Sequence, residues 1–222
     1  MITPTAVIFD IGRVLYRWDP RFLYERLIHE DEALDAFLRD VVTPEWHFQH
    51  DAGRPFAETS AELSERYPHH AALIDAWGPR FNDSIRGLIP GMAALIAELD
   101  AAGVPLFAIT NFSGEFFPPF RAAWPELFAP FRDFIVSGDE RLVKPDLAIY
   151  RLALDRFGVD PATAVFIDDR ADNVAGAEAA GMTGLLFSDA ARLRAELVAL
   201  GLPLASPPPV QPASSPSAGR LA

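Results

Sequence analysis

Ala6-Val7-Ile8-Phe9-Asp10-Ile11-Gly12 is an apolar run that stops on a carboxylate and then turns at a glycine. Ala6 to Phe9 has the composition of a strand buried on both faces, whereas Thr3-Pro4-Thr5 before it has no comparable apolar character. Asp10 is therefore expected at the carboxyl end of a strand. In an open parallel α/β sheet that edge is where ligands bind, because the loops leaving the strands form a crevice there. Taken alone, such an Asp is better explained as a turn residue capping backbone amides. The pattern recurs downstream, however, with different chemistry at each strand end. Val104 to Ile109 ends on Thr110-Asn111, Phe134 to Val136 leads through Ser137-Gly138 to Lys144-Pro145-Asp146, and Ala164 to Ile167 ends on Asp168-Asp169. One nucleophile candidate, one hydroxyl, one cation and two further carboxylates would share a single edge.

Outward from this stretch, the chain after Gly12 predicts an all-helical insert over residues 18–86. Asp19-Pro20 reads as an N-cap with proline at the first helical position, opening a helix to about Ile28. Thr43-Pro44 repeats the signal before a helix containing Trp46. Gly53-Arg54-Pro55 is a break, followed by helices from Phe56 to Tyr67 and from Ala71 to Ser84. The α/β pattern then resumes. Helices are predicted over Gly91 to Ala102, Asp146 to Phe157 and Ala171 to Ala180, each closed by a glycine, and a last strand over Gly184 to Phe187. Ser113-Gly114-Glu115 reads as a short helix that Pro118-Pro119 interrupts, and Trp124 to Pro130 as irregular. The expected fold is α/β, a parallel sheet with helices on both faces, with a core domain over residues 1–17 and 87–201. The proline-, alanine- and serine-rich residues 202–222 cannot build a core and read as a disordered or extended tail.

Composition narrows the chemistry. A chain of 222 residues, 50% hydrophobic and 11% aromatic, can bury one α/β core and a smaller accessory domain. It has no cysteine, so any metal is held by oxygen or histidine, which favours magnesium. A formal net charge of −12 argues against nucleic-acid binding and requires a locally positive pocket for an anionic substrate. No apolar run approaches the roughly 20 residues of a membrane span, and no basic-then-apolar signal opens the chain. The expectation is a soluble cytoplasmic protein, monomer or homodimer, without membrane or nucleic-acid partners.

Phe9-Asp10-Ile11-Gly12, Ile109-Thr110-Asn111, Lys144-Pro145-Asp146 and Phe166-Ile167-Asp168-Asp169 with Asn173 resemble the four motifs of the haloacid dehalogenase (HAD) superfamily, in its order and spacing. The resemblance spans about residues 6 to 190, and the insert after the first motif is similar to that superfamily's helical cap. It implies a Rossmann-like core and, among phosphatases, an aspartyl-phosphate formed on Asp10. It also implies a Mg2+ ion held by the Asp10 carboxylate, the Gly12 carbonyl and Asp169, with Asp168 nearby holding a bound water. Lys144 would pair with Asp10 and the phosphoryl oxygens. Thr110 would donate its hydroxyl to phosphate, and Asn111 would help through its amide or the adjoining backbone. The substrate implied is a small phosphorylated metabolite, such as a sugar phosphate.

One position departs from the pattern. Most phosphatases of the superfamily carry a second aspartate two residues after the nucleophile as general acid, and here that position is Gly12. Three accounts stand open: a good leaving group needs little protonation, another residue substitutes, or the chain is not a phosphatase. A 2-haloacid dehalogenase, which uses the same aspartate without metal, also lacks that acid, but usually lacks paired acids like Asp168-Asp169 as well. A non-catalytic binding protein would need none of Asp10, Thr110, Lys144 and Asp169. The loop His50-Asp51-Ala52-Gly53-Arg54 looks like the cap segment that reaches over the site. Arg54 is a candidate substrate contact and Arg13 a second, while His47, His50 or Asp51 could supply the missing proton. Trp46 and Trp77 are expected in the cap's own core.

Overall fold

A computed structural model describes residues 3–204 of the chain. Its strands, in chain order, are β1 (Ala6–Phe9), β2 (Tyr16–Trp18), β3 (Ile85–Leu88), β4 (Leu106–Thr110), β5 (Phe131–Val136), β6 (Ala164–Asp168) and β7 (Thr183–Leu186). Five of them form one parallel sheet in the order β5-β4-β1-β6-β7. The apolar run β1 is its central strand, and each of its residues is at most 2% exposed. Alternation divides its side chains between two cores. Val7 and Phe9 pack with helices Met92–Ala101 and Ala190–Ala199, while Ala6 and Ile8 pack with Leu147–Phe157 and Ala171–Ala179. Each large apolar side chain so buried contributes about 1.5–3 kcal/mol, which fixes the strand on which the rest of the edge depends.

The chain proceeds from β1 to β4 and β5 on one side, then returns to β6 and β7 on the other. This reversal around β1 opens a crevice at the carboxyl ends. Register sets its height: Phe9 lies beside Ala108 of β4 and Ile167 of β6, so Asp10, Thr110 and Asp168 leave three adjacent strands close together.

Between β2 and β3 the chain builds the helical insert. The two strands pair antiparallel, Tyr16 with Leu88 and Trp18 with Ile85, and so gather the insert's exit and return. The helices are Arg21–Tyr24, Asp31–Asp40, Pro44–Asp51, Phe56–Arg66 and Ala71–Asp75, with a 3-10 turn at Phe81–Ser84. Tyr24 and Trp77, both fully buried, stack with ring centroids 5.9 Å apart, and Trp46 donates its indole N–H to the Thr59 carbonyl at 3.1 Å. Both tryptophans serve the insert's core, as expected.

Several elements differ from the sequence reading. The helix expected from Asp19 is a single turn, with the Asp19 carboxylate accepting from Arg21 N–H at 2.8 Å. Asp31–Asp40 is a full amphipathic helix additional to those predicted, burying Leu34 and Phe37. The fourth predicted helix breaks after Asp75. Pro118-Pro119 do not interrupt a helix but open one, Phe117–Ala122, in the first turn, where a missing N–H costs nothing. Helix Ala190–Ala199 is likewise additional. Leu202, placed by composition at the start of the tail, is 4% exposed and belongs to the core. The rest of the expected tail, from residue 205 on, lies outside the described residues.

Candidate active site

Three carboxylates converge where β1 and β6 end. One oxygen each from Asp10, Asp168 and Asp169 lie within 4.8 Å of one another. Lys144, 3% exposed, reaches in from the loop after β5, its Nζ 2.8 Å from Asp10 Oδ1 and 2.6 Å from Asp168 Oδ2. A buried lysine is unfavourable unless paired, and two carboxylates raise its pKa against the opposing effect of burial. It is held as an ammonium.

The two acids of the pair are differently engaged. Asp168 is fully buried; beyond Lys144 it accepts from Asn173 Nδ2 at 3.0 and 3.1 Å and from Arg170 N–H at 2.9 Å. Its oxygens are thus satisfied by the protein, and its part is to hold Lys144. Asp169 is half-buried, and burial followed by the Asp168 charge raises its carboxyl, with Arg13 and Lys144 opposing. Asp10 is 7% exposed, and burial above all pushes its carboxyl up to about 7; Lys144 lowers it and Asp168 raises it. Three acids facing one lysine leave the site rich in negative charge. Such a donor set, all oxygen, suits a hard divalent cation.

Asn111 does something the sequence did not reveal. Its Nδ2 donates to the Lys144 carbonyl at 3.1 Å and its Oδ1 accepts Lys144 N–H at 2.8 Å, so the amide clamps the lysine's backbone rather than facing the crevice. Thr110 is buried at the end of β4, beside this clamp. At Gly12 an added Cβ would meet nothing within 4 Å, so space rather than crowding surrounds that position. Arg13 is exposed, in the left-handed region at φ 59°, with its guanidinium over the Trp18 ring at 5.4 Å.

Arg54, expected to contact substrate, is committed elsewhere. Its guanidinium pairs with Glu62 at 2.6 Å and also bonds the Gln49 side-chain oxygen. The preceding loop is seated on the core. Ser137, just after β5, donates its hydroxyl to the Asp51 carbonyl at 2.6 Å and accepts Phe112 N–H at 3.0 Å, and Glu115 accepts Phe56 N–H at 3.0 Å. Ser137 and Glu115 were not singled out from sequence; the signal for Ser137 was its place at a strand end. His50 bonds Thr59 Oγ1 at 2.6 Å inside the insert, and His47 stacks against Trp18 with centroids 4.9 Å apart.

The haloacid dehalogenase-like hydrolase family matches residues 4–181, and the chain belongs to that family. It is therefore a hydrolase of HAD type. Among its relatives is the sesquiterpene phosphatase AstK of Aspergillus oryzae, 27% identical over 192 residues, which cover 83% of this chain and 90% of that one. A HAD family enzyme of Bacteroides thetaiotaomicron, solved with magnesium and inorganic phosphate, shares the fold at TM-score 0.66 and 18% identity, over 84% of this chain and 95% of that one. L-2-haloacid dehalogenase from Xanthobacter autotrophicus, with chloropropionic acid covalently bound, shares it at TM-score 0.60 and 20% identity, over 90% and 84%. Among the described residues no helix is long and apolar enough to cross a membrane.

Proposed function

We propose that this hydrolase is a magnesium-dependent phosphomonoesterase acting on a small phosphorylated metabolite, with Asp10 as nucleophile. The observation that carries the reading is the acid trio around one lysine. A phosphate dianion entering beside Asp10, Asp168 and Asp169 meets repulsion that Lys144 alone does not neutralise. Asp10, Asp169 and the Gly12 carbonyl are the groups that would hold the cation, since Asp168 is already saturated by protein donors. When bound, Mg2+ would neutralise the phosphoryl group and orient it for attack. Asp10 attacks phosphorus through the oxygen not engaged by Lys144. The ammonium of Lys144 stabilises charge on the equatorial oxygens, Asn111 keeps the lysine in place, and Thr110 offers its hydroxyl to the same oxygens. Domain roles follow: residues 1–17 and 87–201 form the catalytic core, and residues 18–86 cap it, excluding bulk water.

Hydrolysis of p-nitrophenyl phosphate and a sugar-phosphate panel, with Mg2+ and with chelator, beside halide release from 2-chloropropionate, tests this. Magnesium-dependent phosphate release is expected, and Asp169→Ala raises the Mg2+ concentration needed by about 100-fold or more. Metal-independent halide release with no phosphate release overturns the reading, and an unchanged Mg2+ requirement in Asp169→Ala removes that residue as ligand.

A further inference from the structure

Gly12 leaves the crevice without the acid that would protonate a poor leaving group, and no side chain from its own loop replaces it. The helical insert offers three titratable candidates, and they are held very differently. His50 has its Nε2 tied to Thr59 and its ring among Trp46, Phe56 and Phe116. His47 lies with its ring against Trp18 on one side and near-parallel to Phe81 on the other. Burial takes both imidazoles down, to about 4 and about 3, so neither carries a proton to give near neutrality. Asp51 is the exception. It closes helix Pro44–Asp51, is 7% exposed, and is seated by the Ser137 hydroxyl at the end of β5, the strand that pairs with β4 and its Thr110.

Resting on the phosphatase reading above, we propose that Asp51 is the proton donor to the leaving oxygen and, in the second half of the reaction, the base that activates water. Its backbone is fixed to the same edge as the nucleophile. Ser137 holds its carbonyl at 2.6 Å while also binding Phe112 N–H, one residue after the Asn111 clamp. Two residues on, Gly53 packs so closely over the core that a Cβ there would lie 2.6 Å from the Gly138 carbonyl. Among the described residues no lysine or arginine forms an ion pair with the carboxyl; His47 Nε2 lies 3.6 Å away, on a neutral ring, while Lys144 is spent on Asp10 and Asp168. Burial, reinforced by Asp10 and opposed by Lys144, pushes Asp51 up to about 8, which leaves it protonated in the resting enzyme.

The steps balance. As Asp10 oxygen bonds to phosphorus and the phosphorus–leaving oxygen bond breaks, the Asp51 proton moves to that oxygen and a neutral alcohol departs. Asp51 carboxylate then takes a proton from the water whose oxygen attacks phosphorus. The Asp10–phosphorus bond breaks with its electron pair returning to Asp10, releasing phosphate and restoring protonated Asp51.

The test uses Asp51→Asn in the full chain with Mg2+, an isosteric mimic of a protonated aspartate, against phenyl and p-nitrophenyl phosphate. Phosphorylation of the enzyme is read as the burst of released phenol. Expected is a loss of about 10²–10³-fold for phenyl phosphate but less than tenfold for p-nitrophenyl phosphate, whose leaving group needs no proton. Steady-state turnover then slows for both, because the base is gone. Gly12→Asp added to Asp51→Asn restores the phenyl phosphate burst at least tenfold, since space exists at that position. Equal burst losses for the two esters, or no loss, overturn the assignment. A wild-type enzyme that hydrolyses neither ester overturns the phosphatase reading instead.

Discussion

The sheet edge and the helical insert both bury polar groups, but they stabilise them in opposite ways. At the edge, the Lys144 ammonium and the Asp168 carboxyl group are satisfied by short bonds to each other, to Asn173 and to backbone N–H. In the insert, His47 and His50 are neutral rings among aromatic rings, and the Nδ1 atoms of both find no partner among the described residues. A buried charge is tolerated where partners surround it, and a buried titratable group without partners gives up its charge. In the proposed reaction the edge therefore supplies the paired lysine and carboxylates, and the insert the apolar surroundings in which Asp51 keeps its proton.

The largest effect that tests the contrast is on the edge. Asp10→Asn removes the proposed nucleophile while retaining its shape, and turnover is expected to fall by roughly 10⁴-fold or more with the circular dichroism spectrum unchanged. Retained activity would remove the covalent route. Next is a matched pair in stability. Lys144→Met strips two buried carboxylates of their cation and lowers the unfolding free energy by about 3–5 kcal/mol in urea titrations. His47→Phe replaces a neutral ring, whose Nδ1 is unpaired, with an apolar one, and costs less than about 1 kcal/mol. Similar losses for the two would show that both regions bury charge alike and break the comparison.

How much of this could be read from sequence follows from the range of each interaction. Asp10 and the Asp168-Asp169 pair were legible because they end apolar strands, and Lys144 because Lys144-Pro145-Asp146 precedes a capped helix; the parallel sheet needs only the alternating pattern of strands and helices. The clamp of Asn111 on Lys144 joins residues 33 apart and depends on loop geometry, which no local pattern in the sequence encodes. Arg54 looked available because Gly53-Arg54-Pro55 reads as a loop, yet the following helix carries Glu62 into reach. Choosing Asp51 over His47 and His50 required burial, which neighbouring residues in sequence do not reveal. The short ribbon of β2 and β3 has too few residues for its period-two pattern to register. Helix Asp31–Asp40 did carry readable signals, acids in its first turn and Arg39 in its last, without a proline or glycine to announce it.

The smallest expected effect separates the buried carboxyls from the insert's buried imidazoles by the sign of their pH dependence. Asp10 and Asp51 have folded pKa values of about 7 and about 8 against 3.8 ordinarily, so the folded state binds more protons and stability falls as pH rises through that interval. His47 and His50 sit at about 3 and about 4 against 6.5, so the folded state binds fewer protons and stability rises with pH until about 6.5. Between about pH 4 and 6.5 the carboxyls and imidazoles oppose each other. Above 6.5 the unfolded imidazoles shed their remaining protons and the carboxyls dominate, so metal-free protein should lose about 1–2 kcal/mol net between pH 6.5 and 8. Asp51→Asn removes its share of that slope, and excess Mg2+ removes the share of Asp10 by stabilising its carboxylate. Urea unfolding at the two pH values, in chelator, measures it. A stability that rises across this interval would mean that the insert's imidazoles, rather than the carboxyls, dominate there, and Asp51 would then enter the reaction without a proton to give.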